Sequence, residues 1–452
     1  MRDLQPAAHE QEVATGRGST PWLRRLCVGV LVAGWALVLA LILGHRVFVS
    51  HDTVSNYAHV WYVSERLSQA HTLPFRMPVI GHGEAYAFPY AFVPWVSAAV
   101  LRPLLGDWVV TLWLVIGTVG VIGATFWAFP ELLEGWGPAA VLANPALVAS
   151  PIIGQLPFVW GAAFLLGAVG CWRRQRRWEA AVLAGLGQAT HPAVVLPLGL
   201  MLVVGRLWWE PDRRALIRWY AVALLVTLPA ALLVFASPVF QDSSRRTIVN
   251  AFLETLGVRM VVVLVPVILC LLRPLHWRWL APAAVVAMLV TNVLLLQQHD
   301  VASAWRALRR HPDPTMLTFI RSDAFVRGAT YRVLRAGDSK VGMYQLLQHG
   351  ARLDSEFFPE SIDIRSWSRR GDYTRFLQSR DVDFVIVFPT FDRAYRTNEH
   401  QLLDQLAMLP STGCASSDVG AGASVMRRPQ YDVYRIEHAC RRAPATASDT
   451  RH

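Results

Sequence analysis

The residues whose types and spacing invite chemistry fall in one stretch, His51-Asp52-Thr53-Val54-Ser55-Asn56-Tyr57-Ala58-His59. The pattern predicts a helix running through Gln69, with Asp52 or Thr53 near its N-cap, where a short polar oxygen satisfies the first free amides. On such a helix Asp52, Ser55, Asn56, His59 and Arg66 share one face, and Val54, Tyr57, Ala58 and Trp61 form an apolar flank. Asp52 and His59 then stand two turns apart, one above the other. A carboxylate and an imidazole so placed can move a proton, and the charge on the histidine decides whether they act as a base or as an ion pair. The plainer reading has Asp52 capping a helix that lies on a membrane surface, with His59 in solvent. Further on, Gly81-His82-Gly83-Glu84 either returns His82 and a second acid, Glu84, to the same vestibule or forms a polar turn.

The elements that must position these residues belong to a membrane chain. Its 452 residues are 54% hydrophobic and only 17% charged, with a mean hydropathy of +0.33, too little charge for a soluble surface. Apolar runs at 26–43, 88–105, 108–129, 157–172, 215–236, 257–272 and 280–296 each approach the roughly 17–25 residues of a crossing. The stretch between Arg177 and Arg213 is too long for one crossing and breaks at Thr190-His191-Pro192, which predicts a helical hairpin. About nine crossings result. With the N-terminus in the cytoplasm, Arg24-Arg25, Arg102, Arg173-Arg174, Arg176-Arg177, Arg213-Arg214, Arg273 and Arg278 all lie inside. Over residues 1–299 the count is fifteen arginines inside against six outside, and an odd number of crossings exports everything after Leu296. The net charge of +11 is therefore topological, and nucleic acid is not an expected partner. Residues 131–155, with Pro145 and Pro151, are expected to form an outer re-entrant element or two crossings.

The expected fold class is mainly α: a polytopic transmembrane bundle followed by an extracytoplasmic α/β domain. Residues 1–24 form a cytoplasmic segment without a cleavage pattern, 25–298 the membrane domain with its outer loop 45–87, 299–442 the exported domain, and 443–452 a disordered tail. In the exported part, strands are expected at 330–335, 383–388 and 431–436, and helices at 341–349 and 372–379. The run Asp383-Phe384-Val385-Ile386-Val387-Phe388 suits a strand covered on both faces. No glycine-rich phosphate loop, nucleophile elbow or metal-spaced cluster is present, so this domain does not read as an active site by itself. Cys27, Cys171 and Cys270 fall near inner helix ends, and Cys414 with Cys440 forms the exported pair, equally open to being bridged or free.

Asp52, His59, Leu73-Pro74, Gly81, Gly83 and the run from Tyr86 to Pro94 resemble the first outer loop of bacterial GT-C-type glycosyltransferases. They are most similar to the branch whose members carry the name "6-pyruvoyl-tetrahydropterin synthase-related membrane protein". Gly154-Gln155, Arg173 to Arg177, Ala184-Gly185-Leu186-Gly187 and Thr190-His191-Pro192 resemble the middle region of that superfamily. Tyr331-Arg332-Val333-Leu334 and Asp381-Val382-Asp383-Phe384-Val385-Ile386-Val387 are similar to its C-terminal domain. The resemblance implies a many-helix fold whose first outer loop carries an acidic catalytic residue, acting on a lipid-phosphate-linked sugar at the outer face. By position, Asp52 is then the base that deprotonates an acceptor hydroxyl. His51 precedes it where many such enzymes carry an adjacent acid, so no cofactor is assigned and a divalent cation is left open.

A polyprenyl-phosphate donor needs an apolar groove, a cation for phosphate and a base for the acceptor. Arg245 and Arg246, in the outer loop 237–256, and Arg259, near the outer boundary, offer planar forks for phosphate oxygens or for lipid headgroups. His191, with Gln155 and Gln188 expected nearby, either belongs to the site or satisfies carbonyls freed at Pro192. Most of the eighteen tryptophans fall at helix ends, as interfacial belts do, which leaves Trp61 and Trp136 as sugar platforms. The expected activity is an inverting transfer of a sugar to an extracytoplasmic glycan, lipid or protein acceptor. The alternatives are a non-catalytic protein that binds a glycan or protein partner through its exported domain, and, third, a transporter.

Overall fold

The computed structural model describes residues 21–48, 53–74, 76–81, 91–208, 210–235, 277–297, 315–335, 340–355, 364–407, 421–428 and 431–436, with Val265, Ile268 and Trp305. Asp52, His82, Glu84, Arg245, Arg246, Arg259, the crossing expected at 257–272 apart from Val265 and Ile268, Cys270, Cys414, Cys440 and the expected tail lie outside the described residues. The chain runs through α1 (Pro21–Leu43), α2 (Thr53–Ala70), α3 (Phe92–Leu105), α4 (Trp108–Ala128), a 3-10 turn (Pro130–Leu133), α5 (Gly137–Leu142), α6 (Pro145–Ile153), α7 (Leu156–Arg173), α8 (Arg177–Thr190), α9 (Pro192–Leu207), α10 (Arg213–Phe235) and α11 (Trp277–Gln297). A C-terminal domain follows: α12 (Thr315–Ile320), β1 (Thr330–Leu334), α13 (Val341–Gln348), β2 (Arg352–Leu353), α14 (Arg370–Ser379), β3 (Phe384–Val387), α15 (Phe391–Tyr395), α16 (Glu399–Ala407), β4 (Ala421–Arg428) and β5 (Tyr431–Ile436). Among the described helices α1, α4 and α7 are long and apolar enough to cross a membrane. The protein is a mainly helical, polytopic membrane protein with a mixed-sheet C-terminal domain.

Small residues let the helices of the bundle approach closely, as they do where lipid supplies no hydrophobic drive for association. A Cβ built on Gly117 of α4 would lie 2.7 Å from the Trp160 ring of α7, and one on Gly170 of α7 would lie 2.5 Å from Trp127 of α4. These contacts make α4 and α7 parallel. The expected hairpin is present as α8 and α9, turning at His191, and α8 lies along α10 through Gly185. A Cβ on Gly185 would stand 2.6 Å from the Val226 Cβ and 2.9 Å from the Ala223 carbonyl oxygen. Gly185→Ala is therefore expected to cost about 1–3 kcal/mol through overpacking, despite alanine's better helix propensity. Thermal unfolding in detergent checks this, and a variant that melts at or above the wild-type temperature would show the two backbones are not in close contact.

Two expectations about the crossings are corrected. Residues 88–105 were expected to cross and put Arg102 inside, yet α3 is a 14-residue helix packed on α2. Its far end stays beside the end of α1: the Trp108 indole donates to the Leu43 carbonyl at 2.8 Å, and Arg102 reaches Glu65 of α2 at 3.4 Å. Arg102 thus joins the α2 side, which changes the arginine tally to fourteen against seven. Conversely, residues 131–155 do not form an outer element or two crossings. Glu131 forms an ion pair with Arg173 at the opposite end of the bundle, and Gly154 returns to α2, so α5 and α6 make one broken span between the two ends. The break at Asn144 is tolerated because its side chain caps α6, accepting from Ala146 N at 3.1 Å. Two carbonyls near the break are answered from afar: the Trp35 indole donates to Leu142 O at 2.9 Å, and the Asn292 amide to Ala143 O at 2.8 Å. The two corrections offset each other, so the expected parity is unchanged.

The C-terminal sheet has the order β2-β1-β3-β5-β4, with β2, β1 and β3 parallel, β5 antiparallel to β3, and β4 paired with β5 as a hairpin. The three expected strands are β1, β3 and β5, and the two expected helices are α13 and α14. As the all-apolar run required, β3 is central and buried at all four residues. Alternation sorts the side chains. Tyr331, Val333, Phe384 and Ile386 join an apolar cluster shared with the helix bundle, while Leu334, Val385 and Val387 pack under α14 and α16. Residues of the outer loop extend this sheet at β2, where Leu353 N donates to Val79 O at 2.8 Å and Ile80 bridges Leu353 in parallel.

Candidate functional site

The N-terminal half of α2 is not laid on a surface. Every residue from Thr53 to Val60 is buried, and only beyond Ser64 does the helix emerge, leaving Arg66 exposed although it shares the face of His59. The reading with His59 in solvent is thereby overturned: the ring is 4% exposed and stacks on the Trp95 indole of α3, centroids 4.2 Å apart and planes 12° from parallel. Its Nδ1–H donates to the Ser55 carbonyl at 2.7 Å, which makes Nε2 the basic nitrogen. Burial pushes the imidazole down to about 4, against the pull of the Ser55 carbonyl, so the ring is neutral at physiological pH.

That depression sets a pH dependence. An unfolded histidine titrates near pH 6.5 and so binds a proton that the folded ring refuses down to about pH 4. Between those values the unfolded state holds more protons, so stability rises with pH: the contribution is full above pH 6.5 and is lost as the pH falls through 4. The span is about 3 kcal/mol. Thermal unfolding in detergent between pH 7 and 4 should slope downward on acidification, and His59→Gln should flatten that slope. An unchanged slope in the variant would contradict the buried neutral ring.

Asn56 fastens this half of the helix. Its amide donates to the Gly154 carbonyl at the α6–α7 link at 3.1 Å, and its oxygen accepts from the Trp95 indole at 2.9 Å. Ala91, at the start of α3 with a positive φ of 56°, donates its N–H to the Thr190 carbonyl at 3.0 Å. His59, Gln155 and His191 thus surround one junction of α2, α3, the α6–α7 link and the α8–α9 break. His191 is buried there, edge-on to Phe158 at 6.0 Å. Gln188, in contrast, is spent between helices, donating to Tyr220 at 3.1 Å and accepting from Thr227 at 3.0 Å. Trp61 lies on α2, half-buried against Tyr62, whereas Trp136 sits at the Arg173 end, about 30 Å away along α4, too far to serve the same site.

The sequence reading missed Trp95 and the role of Asn56. An indole inside an otherwise apolar run was the available signal for Trp95. Among the described residues no group of three or more histidines, cysteines or carboxylates could hold a metal ion. A cavity of about 300 Å³ lies elsewhere, between Pro78 and Val79 of the outer loop and Thr330, Arg352, Leu353 and Asp381 of the C-terminal domain.

No family model and no curated protein matches the sequence. The chain is similar to solved structures of ArnT from Cupriavidus metallidurans. The crystal structure in the apo state is 14% identical, with 92% of this chain and 97% of that chain covered and a TM-score of 0.48. The crystal structure bound to undecaprenyl phosphate is 15% identical, with 92% and 98% covered and a TM-score of 0.45.

Proposed function

We propose that the protein is an integral membrane glycosyltransferase of the GT-C type, moving a sugar from a polyprenyl-phosphate donor to a hydroxyl on an extracytoplasmic glycan, lipid or protein. The carrying observation is the burial of Thr53–Val60: the helix that Asp52 immediately precedes is packed between α3 and α13 of the C-terminal domain, not spread on a surface. In this reading the N-terminus is cytoplasmic and the α2 side, with the C-terminal domain, is extracytoplasmic. The Asp52 carboxylate accepts the proton of the acceptor hydroxyl, whose oxygen attacks the anomeric carbon. The bond from that carbon to the phosphate oxygen breaks, and polyprenyl phosphate leaves with the electron pair, inverting the sugar. Arg245, Arg246 and Arg259 hold the phosphate charge. His82, Glu84, Gln155 and His191 are assigned to donor and acceptor binding, and His59 stays neutral through the reaction.

The test is turnover by the purified protein in nanodiscs with radiolabelled polyprenyl-phosphate sugars and membrane acceptors. Labelled product is expected. Binding of glycan without turnover, in particular at the cavity between residues 78–79 and β1–β2, would favour the non-catalytic alternative instead.

A further inference from the structure

The C-terminal domain meets the α3–α4 turn through one polar cluster and, beside it, α2 through a ring contact. Tyr344 and Gln348, one turn apart on α13, both donate to Asp107 in the α3–α4 turn, at 2.9 and 3.1 Å, and Gln348 also donates to the Tyr344 hydroxyl at 2.8 Å. Asp107 further accepts from Arg102 Nε at 3.0 Å, and Arg102 continues to Glu65 of α2. On the inner side of the cluster the Tyr344 ring lies 5.9 Å from that of Tyr57. The Tyr57 hydroxyl accepts from Phe48 N at 2.9 Å and meets the Thr111 hydroxyl of α4 at 2.5 Å. Both tyrosines are at most 2% exposed. Burial and then the Asp107 charge push the Tyr344 phenol well above its ordinary range, so it remains a donor at any physiological pH.

Tyr57 is the neighbour of Asn56, and His59 follows within the same turn. The cluster therefore fixes α2 from one side while Asn56 and Trp95 fix it from the other. The Val79–Leu353 hydrogen bond holds the returning limb of the same loop, so the domain secures both the helix and the chain that leaves it.

We propose that Tyr344 and Asp107 are positioning residues through which the C-terminal domain sets the place of the first turns of α2. The inference rests on the proposed reading in that these turns carry the site, but its test does not depend on turnover. Hydrogen exchange of the full chain in nanodiscs is compared for the wild type, Tyr344→Phe and Asp107→Asn, with Tyr434→Phe as the matched control. Tyr434 donates to Asp404 at 2.6 Å within the domain, and its ring packs with Leu377 and Leu403 under α14 and α16. Loss of one hydrogen bond to a charged acceptor should speed exchange of residues 53–60 about tenfold. The control should leave those amides unchanged, and β1 and β3 should stay protected in all variants. Unchanged α2 exchange in a folded Tyr344→Phe, or equal acceleration in the control, overturns the proposal. Should Tyr344→Phe fail to fold, Gln348→Ala is expected to give a smaller acceleration, about threefold, confined to the same amides, and no acceleration there overturns it equally. If the wild type transfers sugar, Tyr344→Phe lowers kcat and leaves the donor KM unchanged, because the proposed base Asp52 directly precedes α2 in sequence whereas the arginines proposed to hold the phosphate do not. Absence of wild-type turnover would count against the transferase reading alone.

Discussion

Asp52→Asn is expected to lower sugar transfer by about a thousandfold while leaving the protein folded. The size follows from removing a positioned general base, which contributes about 10²–10⁴ in rate. The choice of asparagine matters because Asp52 directly precedes α2, where asparagine serves a helix N-terminus about as well as aspartate. A drop in rate at an unchanged melting temperature therefore reports lost chemistry and not a frayed helix. His59 cannot replace the missing base by charge exchange with solvent. Its ring is enclosed by Trp95 and Ser55, and its protonated form is disfavoured down to about pH 4. Initial rates at saturating donor decide the matter, and wild-type rates in Asp52→Asn would sink the assignment of the base.

How far the sequence could reach depended on the range of the interactions involved. The break at Thr190-His191-Pro192 and the strands β1, β3 and β5 are written in local chemistry: a proline and short apolar runs. The identity of the crossings was not. Hydropathy treats burial in lipid and burial in protein alike, so α3, covered by α2, read as a span although it has only 14 residues. The α5–α6 span read as interrupted, because the groups that repair its break, Trp35 and Asn292, lie 107 and 149 residues away. Charge could have exposed the error. Glu131 and Arg173, assigned to opposite faces by the arginine count, form an ion pair. The site suffered the same limit: the helical face of His59 was visible, but its stacking on Trp95 and the hold of Tyr344 on Asp107 depend on pairs far apart in the chain.

Arg332→Leu should destabilise the C-terminal domain by about 3–5 kcal/mol, the cost of removing one partner of a buried ionic cluster. Arg332 points to the α16 side of β1 at 1% exposure, where Nη2 and Nε donate to the two Glu399 oxygens at 2.8 and 3.1 Å and Nη1 donates to Asp354 at 3.0 Å. Burial alone would weaken the charged guanidinium, but Glu399 and Asp354 outweigh it and hold the group firmly protonated. Removing the arginine reverses the situation of its partners. Burial pushes the Glu399 carboxyl up, and Arg332 is what pulls it down, so without the cation Glu399 takes up a proton before it can stay folded. The loss is therefore larger at pH 8 than at pH 5, where the unfolded chain gives up less by protonating it. Because the leucine itself fits an apolar strand position beside Leu334 and Phe376, adding Glu399→Leu and Asp354→Leu should recover much of the stability, as no lone charge then remains. Hydrogen exchange of β1 and β3 with pH-resolved melting measures both effects. Equal losses at pH 5 and pH 8 would mean that the carboxylates reach solvent when the arginine is gone, and the cluster would then be a surface ion pair in energetic terms.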